Sequence, residues 1–248
     1  MIATKARPRK WPILAASIIS LPALAGPPYL NDDPQPTDKG HYETYFFIEG
    51  AVSSEGRDGS GGIDFNYGAA EDMQLTAVLP YAWSRSSGGW STTGFGNIEL
   101  AAKYKFLHQR DSGLDVAFFP RVFLPAGNGN VGEGHASLLL PLWVQHTWET
   151  WSAFGGGGCE IHRGGDARDF CQFGLALTKQ ALGNFQFGME LYHQTPDSAG
   201  SRASTDLDIG ATYDLDAHLH LMGSIGTGLQ NRAETDRTIW YAALLWTL

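Results

Sequence analysis

From position 41 onward, apolar residues alternate with polar or small residues over segments of about a dozen residues. Successive side chains of a strand point to opposite faces, so the pattern predicts strands with one apolar face. Clusters of Gly, Asn, Asp and Ser separate the segments and indicate turns. We predict twelve strands, at about 41–52, 61–68, 73–84, 95–107, 114–124, 137–148, 151–161, 170–180, 185–195, 204–214, 218–228 and 237–248. The sixth is apolar on both faces, so its pattern does not orient it.

The same alternation would suit a secreted β-sandwich with its apolar faces turned inward. The predicted connectors favour a membrane barrel instead, because they alternate in length. They are long after odd strands (53–60, 86–94, 125–136, 162–169, 196–203 and 229–236) and short after even strands (69–72, 108–113, 149–150, 181–184 and 215–217). An even strand count with long loops at one end is typical of outer-membrane barrels with both termini in the periplasm.

Aromatic residues on the apolar faces fall into two groups, as expected for side chains at the two water–lipid boundaries. A closed sheet also pairs every backbone amide inside lipid, which an open sheet does not. We therefore predict an all-β fold: a closed, antiparallel transmembrane β-barrel of the outer-membrane type, with about 12 strands and a range of roughly 10 to 14. The aromatics are Tyr42, Tyr104, Phe106, Phe185, Tyr213 and Trp246 near the short turns, and Tyr81, Trp83 and Trp240 near the long loops.

The N-terminus has the pattern of a signal peptide. A basic stretch up to Lys10 precedes an apolar run that ends in Ala23-Leu24-Ala25, a sequence that suits signal peptidase. The alternative, a retained membrane anchor, fits less well because the run is short and holds two prolines. We predict a cleaved signal peptide over 1–25, a periplasmic N-terminal segment over 26–40, a barrel over 41–248, and location in the outer membrane of a Gram-negative envelope.

Composition narrows the function classes. The 248 residues carry a net charge of −9, and only 17% of them are charged. Because nucleic-acid affinity depends on Lys and Arg contacts with phosphates, we expect no nucleic-acid partner. A mean hydropathy of −0.20 argues against a bundle of membrane-spanning helices.

Several segments spread along the chain carry a family resemblance, among them IDFNYGAAEDMQLTAVLPYAW from Ile63, GFGNIELAAKYKF from Gly94, FFPRVFLPAGNG from Phe118 and GMELYHQTP from Gly188. They resemble one bacterial family of outer-membrane transporters, which is named for the MetA-pathway of phenol degradation. The resemblance covers essentially the whole mature chain. It implies a porin-like barrel and no catalytic residue. The last strand is also similar to the terminal strands by which outer-membrane proteins are recognised for insertion, which implies the barrel-assembly machinery as a partner.

Twelve strands about 4.8 Å apart and tilted by about 40° enclose a cylinder roughly 24 Å across, so inward side chains leave a narrow lumen. Mixed charges and aromatic rings inside could form a track for a small, aromatic or partly apolar solute. Alternatively, the charges pair across strands and the rings fill the space, which would give a plugged barrel. The predicted lumen-lining residues are Glu43, Glu49, Glu99, Lys103, Lys105, Asp115, Arg121, Glu190, Asp206, Asp208, Tyr45, Phe119 and Tyr192.

The sequence PPYLNDDPQPTDK, from Pro27 to Lys39, is too rich in proline and acidic residues to form a strand. We expect a solvated tail. Two alternatives remain open: the segment folds into the periplasmic mouth as a plug, or Asp32 and Asp33 bind a divalent cation.

Cys159 and Cys171 flank a turn-rich segment, and a hairpin centred near Gly165 would place them opposite each other. A disulfide across this hairpin is then geometrically feasible in an oxidising compartment. His218 and His220 share one strand face, but with no evident third ligand we expect no metal site and no cofactor.

An outer-membrane lipid hydrolase needs a Ser nucleophile within reach of a His base. Ser137 and His135 are the candidates, but they have no evident orienting partner, and no GxSxG motif occurs. We therefore expect no enzyme. The predicted function is a porin-like outer-membrane transporter that passes small solutes passively, with a structural or surface-binding (adhesin-like) barrel as the alternative.

Overall fold

The computed structural model describes residues 28–54, 56–89, 91–126, 135–163, 168–232, 235 and 238–248, so the predicted signal peptide lies outside the described residues. Its strands are β1 (Tyr42–Val52), β2 (Gly56–Ala70), β3 (Met73–Ser86), β4 (Ser91–Phe95), β5 (Ile98–Leu107), β6 (Asp115–Phe118), β7 (Arg121–Leu124), β8 (Ser137–Trp148), β9 (Trp151–His162), β10 (Phe170–Leu182), β11 (Phe185–Gln194), β12 (Ser204–Asp214), β13 (Leu219–Gly228) and β14 (Thr238–Thr247). A short helix, α1 (Gln109–Ser112), joins β5 to β6. Within the described ranges, no helix is long and apolar enough to span a bilayer.

The strands close into a single barrel. Strand β1 pairs with both β2 and β14, so that Glu43 lies opposite Asn66 on one side and Thr247 on the other. All the strand pairs are antiparallel. Segments β4 and β5 both pair with β3, and β6 and β7 both lie between β5 and β8. Each of these two pairs forms one interrupted strand, and the predicted closed, twelve-stranded β-barrel is confirmed.

The interruption between β6 and β7 has a local cause. Pro120 has no backbone N–H to donate to the ladder, so a proline in a wall strand favours a break. The neighbouring groups compensate, because Ala102 N–H donates to the Pro120 carbonyl at 3.2 Å and Phe119 N–H donates to the Pro141 carbonyl at 3.1 Å. The wall therefore stays hydrogen-bonded across the break.

The apolar faces point away from the barrel interior. Leu79, Leu100 and Ile209 are 51%, 46% and 60% exposed on the outer surface, so they do not form a dry core. This arrangement excludes the sandwich and is the one that a barrel in lipid requires.

The ends of the barrel differ. The terminal end is where β1 begins and β14 ends, and the loop end is the opposite one. Tyr42, Tyr104 and Trp246 are exposed on the outer surface near the terminal end. Trp240 lies nearer the loop end and covers Gly50, where a Cβ atom would come within 2.9 Å of the indole.

Strand β8 is oriented by its burial. Ser137, Leu139 and Trp143 face the interior, whereas Leu140 and Leu142 are exposed outside. Both faces read as apolar because the interior beside β8 is filled with apolar side chains, and this is why the sequence pattern does not orient the strand.

Two connectors at the loop end are shorter than predicted. Strand β2 begins at Gly56 rather than at 61, and β4 pairs with β3 where the sequence indicated a loop over 86–94. These residues are mostly Gly, Ser and Thr. Such small side chains show no apolar alternation, so the hydrogen-bonded extensions leave no sequence signal.

Candidate functional site: the barrel lumen and its inner segment

Residues 28–40, here called the inner segment, run through the interior of the barrel. Asn31 and Asp33 are each only 1% exposed. The composition predicts a solvated tail, whereas the segment is buried. It is buried because side chains of the barrel wall that are distant in sequence bind it.

One set of partners comes from β11. The Glu190 carboxylate accepts the backbone N–H of Leu30 at 2.9 Å and that of Asn31 at 2.6 Å. A buried carboxylate needs such donors, and an irregular segment inside a barrel needs acceptors for its amides. Glu190 therefore anchors the start of the inner segment.

Small residues on β10 to β13 make room for that start. The Tyr29 hydroxyl donates to the Gly210 carbonyl at 3.1 Å, and Ser224 donates to the Pro28 carbonyl at 2.7 Å. A Cβ atom at Gly210 would come within 2.9 Å of the Tyr29 ring, and one at Gly174 would overlap the Asn31 side chain. The inner wall is therefore shaped to the segment.

The middle of the inner segment is held by an ion-pair cluster. The Asp32 carboxylate accepts hydrogen bonds from Lys103 Nζ and Arg121 Nη2, both at 2.9 Å. Both cations also lie over the Phe119 ring, at 4.8 Å and 4.4 Å from its centroid. Buried charges need close partners of this kind to offset the loss of hydration.

The two adjacent carboxyl groups, Asp32 and Asp33, differ in the direction of their pKa shifts. Burial alone would raise the pKa of Asp32, but the charges of Lys103 and Arg121 lower it below its ordinary value. Burial raises the pKa of Asp33 to about 7, since the repulsion from Asp32 adds to the loss of hydration and Lys103 offsets it only in part. Lys103 Nζ is 3.9 Å from Asp33 Oδ1, against 2.9 Å from Asp32. Two basic side chains already bind Asp32. This arrangement disfavours the hypothesis that Asp32 and Asp33 bind a divalent cation.

The rest of the inner segment contacts the opposite wall. Gln35 Nε2 donates to Asp115 at 3.0 Å and to Gln145 at 2.6 Å, and Lys105 donates to Gln35 Oε1 at 2.8 Å. Thr37 N–H donates to Gln74 Oε1 at 2.8 Å. The segment thus spans the lumen from β11 to β3.

The thirteen predicted lumen-lining residues all lie on the inner face. Eight border the remaining cavity: Glu43, Tyr45, Glu49, Glu99, Lys103, Lys105, Phe119 and Arg121. Asp115 and Glu190 bind the inner segment, and Tyr192, Asp206 and Asp208 are buried in the wall behind it.

A cavity of about 970 Å³, here called the open lane, remains between the inner segment and the wall. At the terminal end it is bordered by Asp72, His220 and Leu248, and it extends to Glu49 and Tyr241 on β1 and β14. Beside the middle of β8 and β9 the lumen is filled by the rings of Trp143 and Phe154, each 1% exposed, whereas Gln145 and Thr147 of β8 border the lane. The inner segment therefore leaves an eccentric cavity rather than a central one.

The histidines considered as metal ligands hydrogen-bond to protein groups. His220 Nδ1 is 2.6 Å from Asp214 Oδ1, and His218 Nδ1 is 3.0 Å from the Thr247 carbonyl oxygen. Among the residues that the structure describes, no group of three or more His, Cys, Asp or Glu side chains could hold a metal ion.

The two residues considered for a hydrolase are not paired with each other. The buried Ser137 hydroxyl donates to Glu160 Oε1 at 2.5 Å, whereas His135 is exposed. His162 Nε2 lies 3.3 Å from the same carboxylate oxygen. The serine is therefore bound to an acid rather than to the proposed base.

Cys159 and Cys171 form a disulfide. They lie directly opposite each other on β9 and β10, with their Cα atoms 4.0 Å apart. The bond links the two strands at the loop end, next to the connector over 163–169.

Solved structures of similar fold include a channel, a porin and an autotransporter domain. An outer-membrane channel from Pseudomonas putida F1 is 15% identical, with a TM-score of 0.75 over 87% of this chain and 98% of that one. The KdgM porin is 11% identical, with a TM-score of 0.57 over 82% and 98%. The β domain of the Bordetella autotransporter BrkA is 16% identical, with a TM-score of 0.54 over 84% and 98%. At these identities the likeness establishes the outer-membrane type of barrel fold.

No curated protein sequence matches the chain. Residues 45–241, which cover most of the barrel, match the family described as "Putative MetA-pathway of phenol degradation". The resemblance noted from the short sequence segments is thereby confirmed. The chain belongs to this family.

Proposed function

We infer that the protein is an outer-membrane channel that passes small solutes by diffusion through the open lane. The observation that carries this function is the cavity of about 970 Å³ that persists beside the inner segment. A barrel with a merely structural role would need no such space, because its inward side chains could fill it as they do beside β8 and β9.

The outer surface of the barrel supports a location in the outer membrane. Ile209, Leu175 and Met189 are 60%, 61% and 55% exposed on the outer surface, where lipid would cover them. Monomeric soluble proteins rarely expose so many large apolar side chains side by side. The proposed partners are therefore outer-membrane lipid and, during insertion, the barrel-assembly machinery.

The inner segment narrows the channel in this proposal. Its hydrogen bonds and ion pairs reach β3, β5, β6, β7 and β11, so it occupies part of the cross-section and sets the size limit. A cavity of this volume has room for a solute the size of a single aromatic ring. The proposal thus names small, aromatic or partly apolar solutes as the class that passes.

Liposome swelling tests this function. Proteoliposomes with the refolded chain should swell in isosmotic solutions of small neutral solutes, and faster when residues 28–39 are deleted. A second variant, Gly174→Val, should also raise the rate, because its side chain displaces Asn31. Gly223→Ala is a matched control, since a Cβ atom at Gly223 has no contact closer than 3.4 Å. Swelling rates equal to those of protein-free liposomes for all variants would contradict the proposal.

A further inference from the structure

We propose that the open lane selects cations, and that its preferred solutes are small organic cations with an aromatic or apolar body. This inference rests on the channel function proposed above. It adds the charge class of the solute, which neither the family nor the fold specifies.

Carboxylates dominate the border of the lane. Nine Asp or Glu side chains line it, against four Lys or Arg side chains. A narrow passage with low-dielectric walls focuses such a field and raises the local concentration of the opposite charge. The excess of carboxylates therefore favours cations over anions along the lane.

The basic side chains deep in the lane are already neutralised. Arg121 pairs with Asp32 and has its Nε atom 3.6 Å from Glu99, while Lys103 pairs with Asp32 at 2.9 Å. The inner segment supplies the Asp32 carboxylate, so its docking removes the two strongest attractions for an anion. The segment thus sets the charge preference as well as the width.

Glu49 on β1 and Asp64 on β2 have different partners. Glu49 accepts a hydrogen bond from Ser60 at 2.8 Å, and Asp64 accepts one from Asn66 at 2.9 Å. Both border the lane, and across the described part of the chain neither forms an ion pair with a basic side chain. A passing ammonium group can therefore donate hydrogen bonds to these two carboxyl groups.

Aromatic rings stand beside these carboxylates. Phe47 and Tyr241 face the lane with nearly parallel rings, whose centroids are 6.4 Å apart. Glu49 lies directly opposite Tyr241 in the strand register. Ring faces attract cations and cover the apolar part of an organic ion, so this stretch suits an aromatic amine better than a sugar acid.

Reversal potentials in planar bilayers test the inference. In a potassium chloride gradient, the full mature chain should reverse near the potassium equilibrium potential. The double variant Glu49→Gln/Asp64→Asn should lower the cation-to-anion permeability ratio severalfold. Deletion of residues 28–39, which frees Lys103 and Arg121, should also lower this ratio while raising conductance. The matched control is Asp111→Asn/Glu149→Gln, which removes one Asp and one Glu charge from exposed positions outside the lane and should leave the ratio unchanged.

The solute class is tested with two probes of matched size and opposite charge, benzylammonium and benzoate. Benzylammonium should be the more permeant in the full chain, and the difference should shrink in Glu49→Gln/Asp64→Asn. Stepwise currents with equal permeability, or with benzoate favoured, would overturn the inference and leave the channel function standing. A complete lack of stepwise current would instead remove the channel function itself.

Discussion

The Asp32 carboxylate accepts a 2.9 Å hydrogen bond from the Arg121 guanidinium, across 89 positions of sequence and inside the barrel. The same carboxylate accepts a second bond from Lys103. One side chain of the inner segment thus joins β5 and β7 to the middle of the lumen. Because both cations and the carboxylate are largely shielded from water, this cluster is the main electrostatic attachment of the segment.

Asp32→Asn should loosen the inner segment. Removing one charge of a buried pair leaves its partners uncompensated, and we expect docking to weaken by about 3 kcal/mol. Trypsin cleavage after Lys39, followed by mass spectrometry, should become faster. Asp38→Asn is the matched control, because Asp38 belongs to the same segment but is exposed. Equal cleavage rates for Asp32→Asn and wild type would show that the cluster does not hold the segment.

Docking of the inner segment should tighten as the pH falls from about 7 towards 4. The docked segment holds Asp33 with a pKa of about 7, against an ordinary 3.8, so the docked state binds the proton more strongly. Stability from this group is therefore present in acid and lost as the pH rises through about 7. Asp32 acts in the opposite sense only below its ordinary pKa of 3.8, where protonation would break its ion pairs.

The measurement is tryptic cleavage after Lys39 as a function of pH, normalised to a peptide substrate. Cleavage of the wild type should slow between pH 7 and pH 6, a range in which trypsin still works. Asp33→Asn should reduce this dependence, because the amide cannot titrate. Lys103, Asp32 and Glu43 face Asp33 and remain in both proteins. An identical pH profile in the two proteins would contradict the assignment.

Loss of the disulfide should lower the stability of the barrel against urea. Cys159 and Cys171 are 12 positions apart, and closing a loop of this length contributes about 3 kcal/mol in the chain-entropy account. The double variant Cys159→Ser/Cys171→Ser should unfold at a lower urea concentration than the oxidised wild type. Dithiothreitol should shift the wild type to the same midpoint and leave the variant unchanged. A wild-type midpoint insensitive to reduction would mean that the bond adds no stability.

The variant Ile209→Lys, which places a lysine at the middle of the outer face, should fold less well into lipid. Ile209 is 60% exposed on β12, and a lysine there should cost about 2–4 kcal/mol at the bilayer midplane. Thr44→Lys is the depth control, since Thr44 lies opposite Trp246 near the terminal end, where a lysine can reach the lipid–water boundary. The folded fraction is read from the gel shift between unboiled and boiled samples in mild SDS. Equal folded fractions for the two variants would contradict a lipid-facing β12.

The wall of the barrel is predictable from sequence because period-2 alternation is a local signal. The strand at 204–214 matches β12 to the residue, since Leu207 and Ile209 alternate with Asp206 and Asp208. The sequence pattern does not orient β8, because Leu139 and Trp143 pack inside the barrel and both faces of the strand are therefore apolar.

The inner segment is not predictable in the same way. Its anchors lie far away in sequence, with Glu190 159 positions from Asn31. Composition alone indicates a solvated tail, because proline and aspartate disfavour regular structure. One signal is present nevertheless: Gly188 and Gly210 face inward and are directly opposite in register. Such a pair on an inner wall indicates that something other than a side chain fills the space.

Single-channel recording in planar bilayers compares the refolded chain of residues 26–248 with the same chain lacking residues 28–39. The chain of residues 26–248 should give small, discrete current steps through the open lane, and the deletion should give larger steps. Barrels that insert, as shown by the gel shift, but give no steps from either protein would contradict the proposed channel function.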